Sequence, residues 1–446
     1  MTCGKDDLKK GDSKFPFHRN EIYKDSMDLG FSDAIRTGGK NGVVFDKQHN
    51  EAYRDFLEST TVTLQDGITT ISGMEAYESC VIKARSVVDN VIDNGLCDSM
   101  SFADHIYPDT FVKDTALELL RRRPRDEGQQ QQSSKPWFLQ VNFPGPHGPV
   151  MSTAAMAESV KNREWPAPLY ATVDSKNKNT HVCPQQQRLS SLPPQPEFTG
   201  RCNYGAQIEH IDKLMSIIVN EGVRQTQDDP NAFILDDTLI CVVGDHGEML
   251  GDHNLSDKKK PWQSSIAVPM ICAGSTVQRG QVYNSPVTIL DLFGTFMDYA
   301  GVTVPETMST RTLRPILDYY NHNNVADNGF LPVRTHVSSG LSSGKSDWRL
   351  VIKEINGTPY KLICCRGSDC GIPGPSTAKP KVEVVIYENG DDMEWSHLLY
   401  DVLADPLDLN PIHDLRQDLV MQLRPLLPTG WCPSPDVVSG GDAFIL

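Results

Sequence analysis

Apolar positions along the chain fall into two rhythms. Short unbroken runs at Trp137–Phe143, Leu239–Val243 and Ile266–Cys272, the last interrupted only by Pro269, read as strands buried in a sheet. Longer stretches repeat their apolar residues at helical spacing. Val81, Ala84, Val87, Val88, Val91 and Ile92 place a helix within Glu75–Asn94. Tyr107–Arg123 is a clearer one, with Ala116, Leu117, Leu119 and Leu120 as its core stripe and three arginines at the end that suits their charge. Tyr204–Val219 and Val287–Ala300 follow the same pattern, the latter closed by Gly301, and Leu313–Leu317 adds a short apolar segment. Beyond the polar stretch 321–329 the rhythm shortens to strands at His336–Ser338, Trp348–Glu354, Tyr360–Cys364 and Val382–Tyr387, then a helix over Leu415–Leu426. This order predicts an α/β fold: a central, mostly parallel sheet sandwiched by helices over residues 1–330, and a small α+β subdomain with an antiparallel sheet over 331–446.

The loops after two of the apolar runs carry chemistry. Gly244 ends the 239–243 run and Asp245, His246 and Gly247 follow at once, so a carboxylate and an imidazole stand where open α/β sheets place ligand sites. Gly251, Asp252 and His253 repeat the pattern, and Lys258, Lys259 and Lys260 precede the next run. After Phe143, prolines at 144, 146 and 149 bracket His147 and stiffen its turn. Thr37–Lys40, with its Gly-Gly-Lys, reads as a turn rather than a phosphate loop. Residues 151–199 form a polar, Pro- and Gln-rich connection of the kind that either carries substrate specificity or is simply disordered, and 129–134 is low in complexity.

Charge narrows the partners. Lys and Arg number 42 against 58 Asp and Glu, a formal −16, which argues against nucleic acid. No run approaches the ~18 apolar residues of a membrane span. The first twenty residues have no apolar core of a secretory signal, so the compartment is left open. The eleven cysteines include no Cys-x-x-Cys pair, and Cys364, Cys365 and Cys370 are expected as unpaired thiols rather than a disulfide or metal cluster. Sequons at Asn254 and Asn356 are not taken as evidence for secretion.

Asp237–Ala273 as a whole resembles the second signature of the sulfatase family, within the alkaline phosphatase superfamily: a strand ending in Gly-Asp-His/Asn-Gly, then a lysine, an aromatic and a Val-Pro strand. The resemblance implies that Asp245 and His246 are metal ligands and that Lys258, four residues before Trp262, contacts sulfate. Thr2–Leu8 is similar to the family stretch Gly-Lys-Trp-His-Leu-Gly, with Lys5 on the sulfate-facing lysine and Asp7 where the histidine stands. The Pro-His-x-Pro turn resembles the segment whose histidine, here His147, contacts sulfate and protonates the leaving oxygen. Leu399–Pro406 resembles the family's Leu-Tyr-Asp-x-x-x-Asp-Pro motif.

The function so implied is a sulfatase-type hydrolase of small-molecule or carbohydrate sulfate esters. It would use Ca²⁺ and a formylglycine nucleophile installed by a formylglycine-generating enzyme. No Cys/Ser-x-Pro-x-Arg pentapeptide and no Asp-Asp strand end occur where the family has them, so the first domain is expected to be amino-terminally incomplete and these 446 residues inactive alone. Lys5, His147, Lys258, Asp245 and His246 are expected to converge on one pocket at the carboxyl end of the sheet. Two rivals remain: a phosphonate or phosphodiester hydrolase of the same superfamily, with Mn²⁺ in place of Ca²⁺, and a sulfoglycan-binding pseudoenzyme.

Overall fold

The computed structural model describes residues 1–5, 31–45, 52–63, 67–86, 104–122, 136–166, 181–182, 196–228, 238–274, 277, 279–318, 333–343, 346–366, 381–386 and 392–427. They form two compact units that divide between Thr238 and Leu239.

The first unit runs in chain order through β1 (Thr2–Gly4), β2 (Ala34–Arg36), α1 (Gly39–Phe45), α2 (Ala52–Ser59), the hairpin β3–β4 (Thr61–Thr63, Thr70–Ser72), α3 (Gly73–Ser86) and α4 (Pro108–Arg122). It continues with β5 (Gln140–Asn142), α5 (Ala154–Val160), β6 (Glu164–Trp165), β7 (His181–Val182) and α6 (Pro196–Asp228). β1 lies between β2 and β5 and runs parallel to both, so the apolar Cys3 sits mid-sheet with no exposed surface. Helix α4 covers this sheet. Its Val112, Ala116 and Leu119 recur at helical spacing and pack with Met1 and Cys3, joined by Ile35, Val141 and Phe143. Phe111 points to the other side of the helix, into a cluster where Tyr53 meets it with ring centroids 5.2 Å apart and meets Tyr77 edge-on at 5.5 Å. Burying rings of this size dominates the local energetics.

The second unit opens with β8 (Ile240–Val243) and β9 (Met270–Ala273), then α7 (Leu290–Tyr299). Its main sheet is antiparallel, formed by β10 (Val337–Ser343), β11 (Ser346–Ile355), β12 (Thr358–Arg366), β13 (Lys381–Ile386) and β14 (Asp392–Asp401) in the order β10-β11-β12-β14-β13. Helix α8 (Gln417–Leu423) buries Leu419, Val420 and Leu423 against Val351, Leu362 and Leu399 of the sheet. On the sheet's alternate positions Leu350, Ile363 and Leu398 cluster with Met249 and Trp262. That contact joins the 244–266 loop to the antiparallel sheet within the second unit.

An α/β architecture with a parallel sheet and a carboxyl-terminal antiparallel sheet is what the apolar rhythm predicts. One strand differs. Leu239–Val243 was expected inside the parallel sheet, buried on both faces. Among the described residues Ile240–Val243 instead pairs antiparallel with Met270–Ala273, is half-buried up to an exposed Val243, and faces an Ile271 that is 64% exposed. A short β-branched run specifies an extended strand but not its neighbour, because it lacks the alternation that fixes register.

Candidate active site

Three parallel strands of the first unit deliver polar groups beyond their carboxyl ends. Lys5 follows β1 directly, Lys40 lies in the first turn of α1 after β2, and His147 stands in the turn after β5. β1 and β5 are in register at Gly4 and Asn142, and the Lys5 amide donates to the Asn142 carbonyl at 3.0 Å. Gly4 is obligatory here. Its φ is +87°, and a Cβ would fall 1.9 Å from the Asn142 oxygen. The Lys5 stem then lies against Gly39, where a Cβ would come within 2.8 Å of the lysine Cδ. Lys5 is half-buried and His147 exposed. The His147 ring nitrogen Nδ1 is 2.8 Å from the Gly148 carbonyl, which can only accept, so the proton sits on Nδ1 and Nε2 is the other functional atom.

Lys40 is the group that sequence reading passed over as part of a turn. It is 3% exposed, and its ammonium donates to the His147 carbonyl at 2.8 Å and to Gln207 Oε1 of α6 at 2.5 Å. Burial pulls its pKa from 10.5 to about 8; the Asp109 carboxylate opposes the fall and nearby Lys5 adds to it. Asp109, in the first turn of α4, has no exposed surface, and its Oδ1 accepts the Gly145 amide at 2.8 Å. Burial pushes this carboxyl up, against the pull of Lys40 and the Gly145 amide.

In the second unit the two Asp-His pairs of the 244–254 loop have opposite fates. Asp245 and His246 are exposed. Asp245 Oδ1 accepts the His246 amide at 2.9 Å, its Oδ2 is 3.6 Å from His246 Nε2, and His246 Nδ1 meets the Gly247 carbonyl at 2.8 Å. Asp252 and His253 are buried: Ser264 donates to Asp252 Oδ2 at 2.8 Å, and His253 stacks on Trp262 at 4.9 Å with Nε2 3.0 Å from the Leu407 carbonyl. The second pair is structural. Lys258 is held within the loop by Asp257 at 3.1 Å. Burial pushes the Asp257 carboxyl up, but the hydrogen bonds and charge of Lys258 outweigh it and leave it below the ordinary range. Glu248 Oε1 is buried with no hydrogen-bond partner among the described residues, and burial, aided by Asp257, pushes this carboxyl up.

The sulfatase family model matches residues 81–302, which take in α4, the His147 turn and the Asp245 loop. The arylsulfatase of Clostridium perfringens (strain 13 / Type A) is 24% identical over 334 residues, covering 68% of this chain and 66% of that protein. The chain belongs to the sulfatase family of the alkaline phosphatase superfamily. An extracellular sulfatase SULF-1 homolog of Drosophila melanogaster is 28% identical over 220 residues, 48% of this chain. The chain thus spans 66% and 18% of the length of these two relatives. A phosphonate monoester hydrolase from Silicibacter pomeroyi shares the fold, with a TM-score of 0.56 at 15% identity over 95% of this chain and 75% of that one.

For a sulfatase-family chain the question is which residues could hold a divalent cation. Asp245 and His246 stand side by side, yet among the described residues no cluster of three His, Cys, Asp or Glu side chains forms. Ca²⁺ takes about six to eight oxygens. The described residues alone therefore do not make a complete Ca²⁺ site.

The cysteines correct one expectation. Cys364 and Cys365, expected as unpaired thiols, are disulfide-bonded, as are Cys80 and Cys202. Cys241 and Cys272 are bonded to each other across β8 and β9, at positions directly opposite in register. Cys3 is a free buried thiol whose pKa burial pushes up to about 12, so it is not a thiolate nucleophile at neutral pH.

Proposed function

We propose that this chain carries the sulfate-ester site of a sulfatase-type hydrolase, its ligands small-molecule or carbohydrate sulfate esters. The observation that carries the reading is the placement of Lys5 and His147 beyond the carboxyl ends of adjacent parallel strands in register, the edge at which α/β sheets bind ligands. There a lysine neutralises charge on sulfate oxygens, and His147 in its imidazolium form, with Nδ1–H tied to a carbonyl, presents the Nε2 proton for donation to the leaving oxygen, which leaves the neutral Nδ1–H imidazole. Lys258 is assigned to sulfate contact, and Asp245 and His246 to two places in a Ca²⁺ shell, on the family likeness of their loop. The nucleophile is assigned to no residue here, since the 446 residues contain no Cys/Ser-x-Pro-x-Arg pentapeptide and Cys3 is inert. Removing a nucleophile while leaving binding groups typically costs several powers of ten in rate. The chain is therefore proposed to bind sulfate esters without turning them over by itself. Bonded cysteines in both units support an oxidising compartment. No helix among the described residues is long and apolar enough to cross a membrane.

The test is a calorimetric panel of 4-nitrophenyl sulfate, a sulfated disaccharide and phenyl phosphonate, each with and without Ca²⁺ and Mn²⁺ and each followed for turnover. The proposal expects saturable binding of a sulfate ester, weakened by Lys5→Ala and His147→Ala. Preference for the phosphonate would move the assignment to the rival hydrolase class. Turnover by these 446 residues would show that another residue supplies the nucleophile.

A further inference from the structure

Beneath the His147 turn lies a set of buried polar groups to which the proposed reaction gives no part. Lys40 from α1, Asp109 from α4 and Gln207 from α6 are all buried. Each of the three hydrogen-bonds to the backbone of one turn. Asp109 Oδ1 takes the Gly145 amide at 2.8 Å, and Lys40 Nζ gives to the carbonyl of His147 itself at 2.8 Å. Gln207 accepts from Lys40 through Oε1 and donates through Nε2 to the Met151 carbonyl at 2.5 Å, where the Tyr107 hydroxyl also donates at 2.9 Å. The turn is thus gripped at residues 145, 147 and 151 by side chains from three helices. Gly145 is required by this grip, because a Cβ there would fall 2.7 Å from Asp109 Oδ2.

Two buried opposite charges serving stability alone are a weak device, since well-packed apolar residues of the same volume often do as well or better. Here both charges are aimed at the main chain flanking one exposed imidazole. We propose that Lys40 and Asp109 are positioning residues that fix the direction of the His147 imidazole, Lys40 by holding the His147 carbonyl and Asp109 by holding the Gly145 amide. The inference rests on the reading of His147 as the site's imidazole. Lys40 is 3% exposed. Its ammonium spends its hydrogen bonds on the turn and on Gln207, which ties the turn to the long helix α6.

The experiment uses the full 446-residue chain and reads order at the turn directly, so it needs no turnover. Amide hydrogen exchange is followed by mass spectrometry in peptides spanning 144–151 and, as reference, 112–120 of α4. Exchange of the His147 C2 hydrogen with pH reports the imidazole's own titration. Lys40→Met should speed exchange over 144–151 about tenfold or more, the effect of losing one charge-assisted hydrogen bond, and move the midpoint of the His147 titration, while 112–120 keeps its protection. Because Lys40→Met leaves Asp109 without its opposite charge, the double variant Lys40→Met/Asp109→Asn, which removes both charges, must show the same loosening. Asp109→Asn alone keeps the acceptor for Gly145 and should stay within about twofold of wild type. Unchanged exchange over 144–151 in the double variant would overturn the proposal. Equal loosening of 144–151 and 112–120 in that variant would overturn it too, by making the role one of general stability. Failure of the functional reading shows separately, as absence of sulfate ester binding by a wild-type chain whose turn exchanges slowly.

Discussion

Substituting Asp408→Asn should destabilise the second unit by about 3 kcal/mol, the lower end of what removing one partner of a buried ion pair costs. Lys361 and Asp408 form a salt bridge with their side chains 0% and 2% exposed. Asp408 Oδ2 also accepts the Gln263 amide at 2.7 Å, so one carboxylate ties the start of the 263–266 helical turn to β12. Burial pulls the Lys361 ammonium down and pushes the Asp408 carboxyl up, each only partly opposed by its partner. Both shifts favour the neutral form. Desolvation therefore outweighs the mutual attraction, and the pair stabilises little over an apolar replacement although neither member can be removed alone. Asparagine suits the test because Asp408 has φ +57°, where Asn is tolerated and Ala would add backbone strain. Urea titration followed by far-ultraviolet circular dichroism gives the change in free energy. Adding Lys361→Met to Asp408→Asn should recover at least half of the loss. A loss under about 1 kcal/mol for Asp408→Asn, the worth of an exposed pair, or no recovery in the double variant, would refute the reasoning.

Three further outcomes follow from the same structure. Gly4→Ala should cost about 3 kcal/mol or more, or prevent folding, because its Cβ would lie 1.9 Å from the Asn142 oxygen at φ +87°; denaturant midpoints check it. Lys40, whose pKa falls from 10.5 unfolded to about 8 folded, binds fewer protons in the folded chain between those values. Stability should accordingly rise by about 3 kcal/mol from pH 8 to 10.5, a rise missing from Lys40→Met in denaturation at stepped pH. Reducing Cys241–Cys272, which closes a sequence separation of 31, should lower stability by about 3 to 4 kcal/mol on the chain-entropy account, as read from melts of wild type against the double serine variant.

Helix α4 shows what the sequence made legible. Its stripe repeats on one face without a break, and the expected span Tyr107–Arg123 became Pro108–Arg122. β11 and β12 were equally plain, since alternate residues enter opposite clusters around the antiparallel sheet. β8 was recognisable as a strand but not as the partner of β9, because an unbroken apolar run carries no register. Lys40 was invisible for a different reason. Lysine is rarely buried without a partner, and its partners here, Gln207 and the His147 carbonyl, lie 167 and 107 residues away. The disulfide between Cys241 and Cys272 likewise depends on a pairing that no local spacing announces. His147 and Lys5 were found through motif likeness, and the register of β1 with β5 supplied the physical reason for considering them together.

The central claim, that Lys5 and His147 serve a sulfate group, is met most directly by titrating the 446-residue chain with 4-nitrophenyl sulfate while following the His147 imidazole resonances in a selectively ¹⁵N-histidine-labelled sample. A saturable shift of the Nε2 resonance is expected, with Nδ1 still bound to its carbonyl, and loss of that shift in Lys5→Met at the same ester concentrations. Resonances of His147 that stay in place while the ester binds elsewhere, or a shift that survives Lys5→Met undiminished, would contradict it.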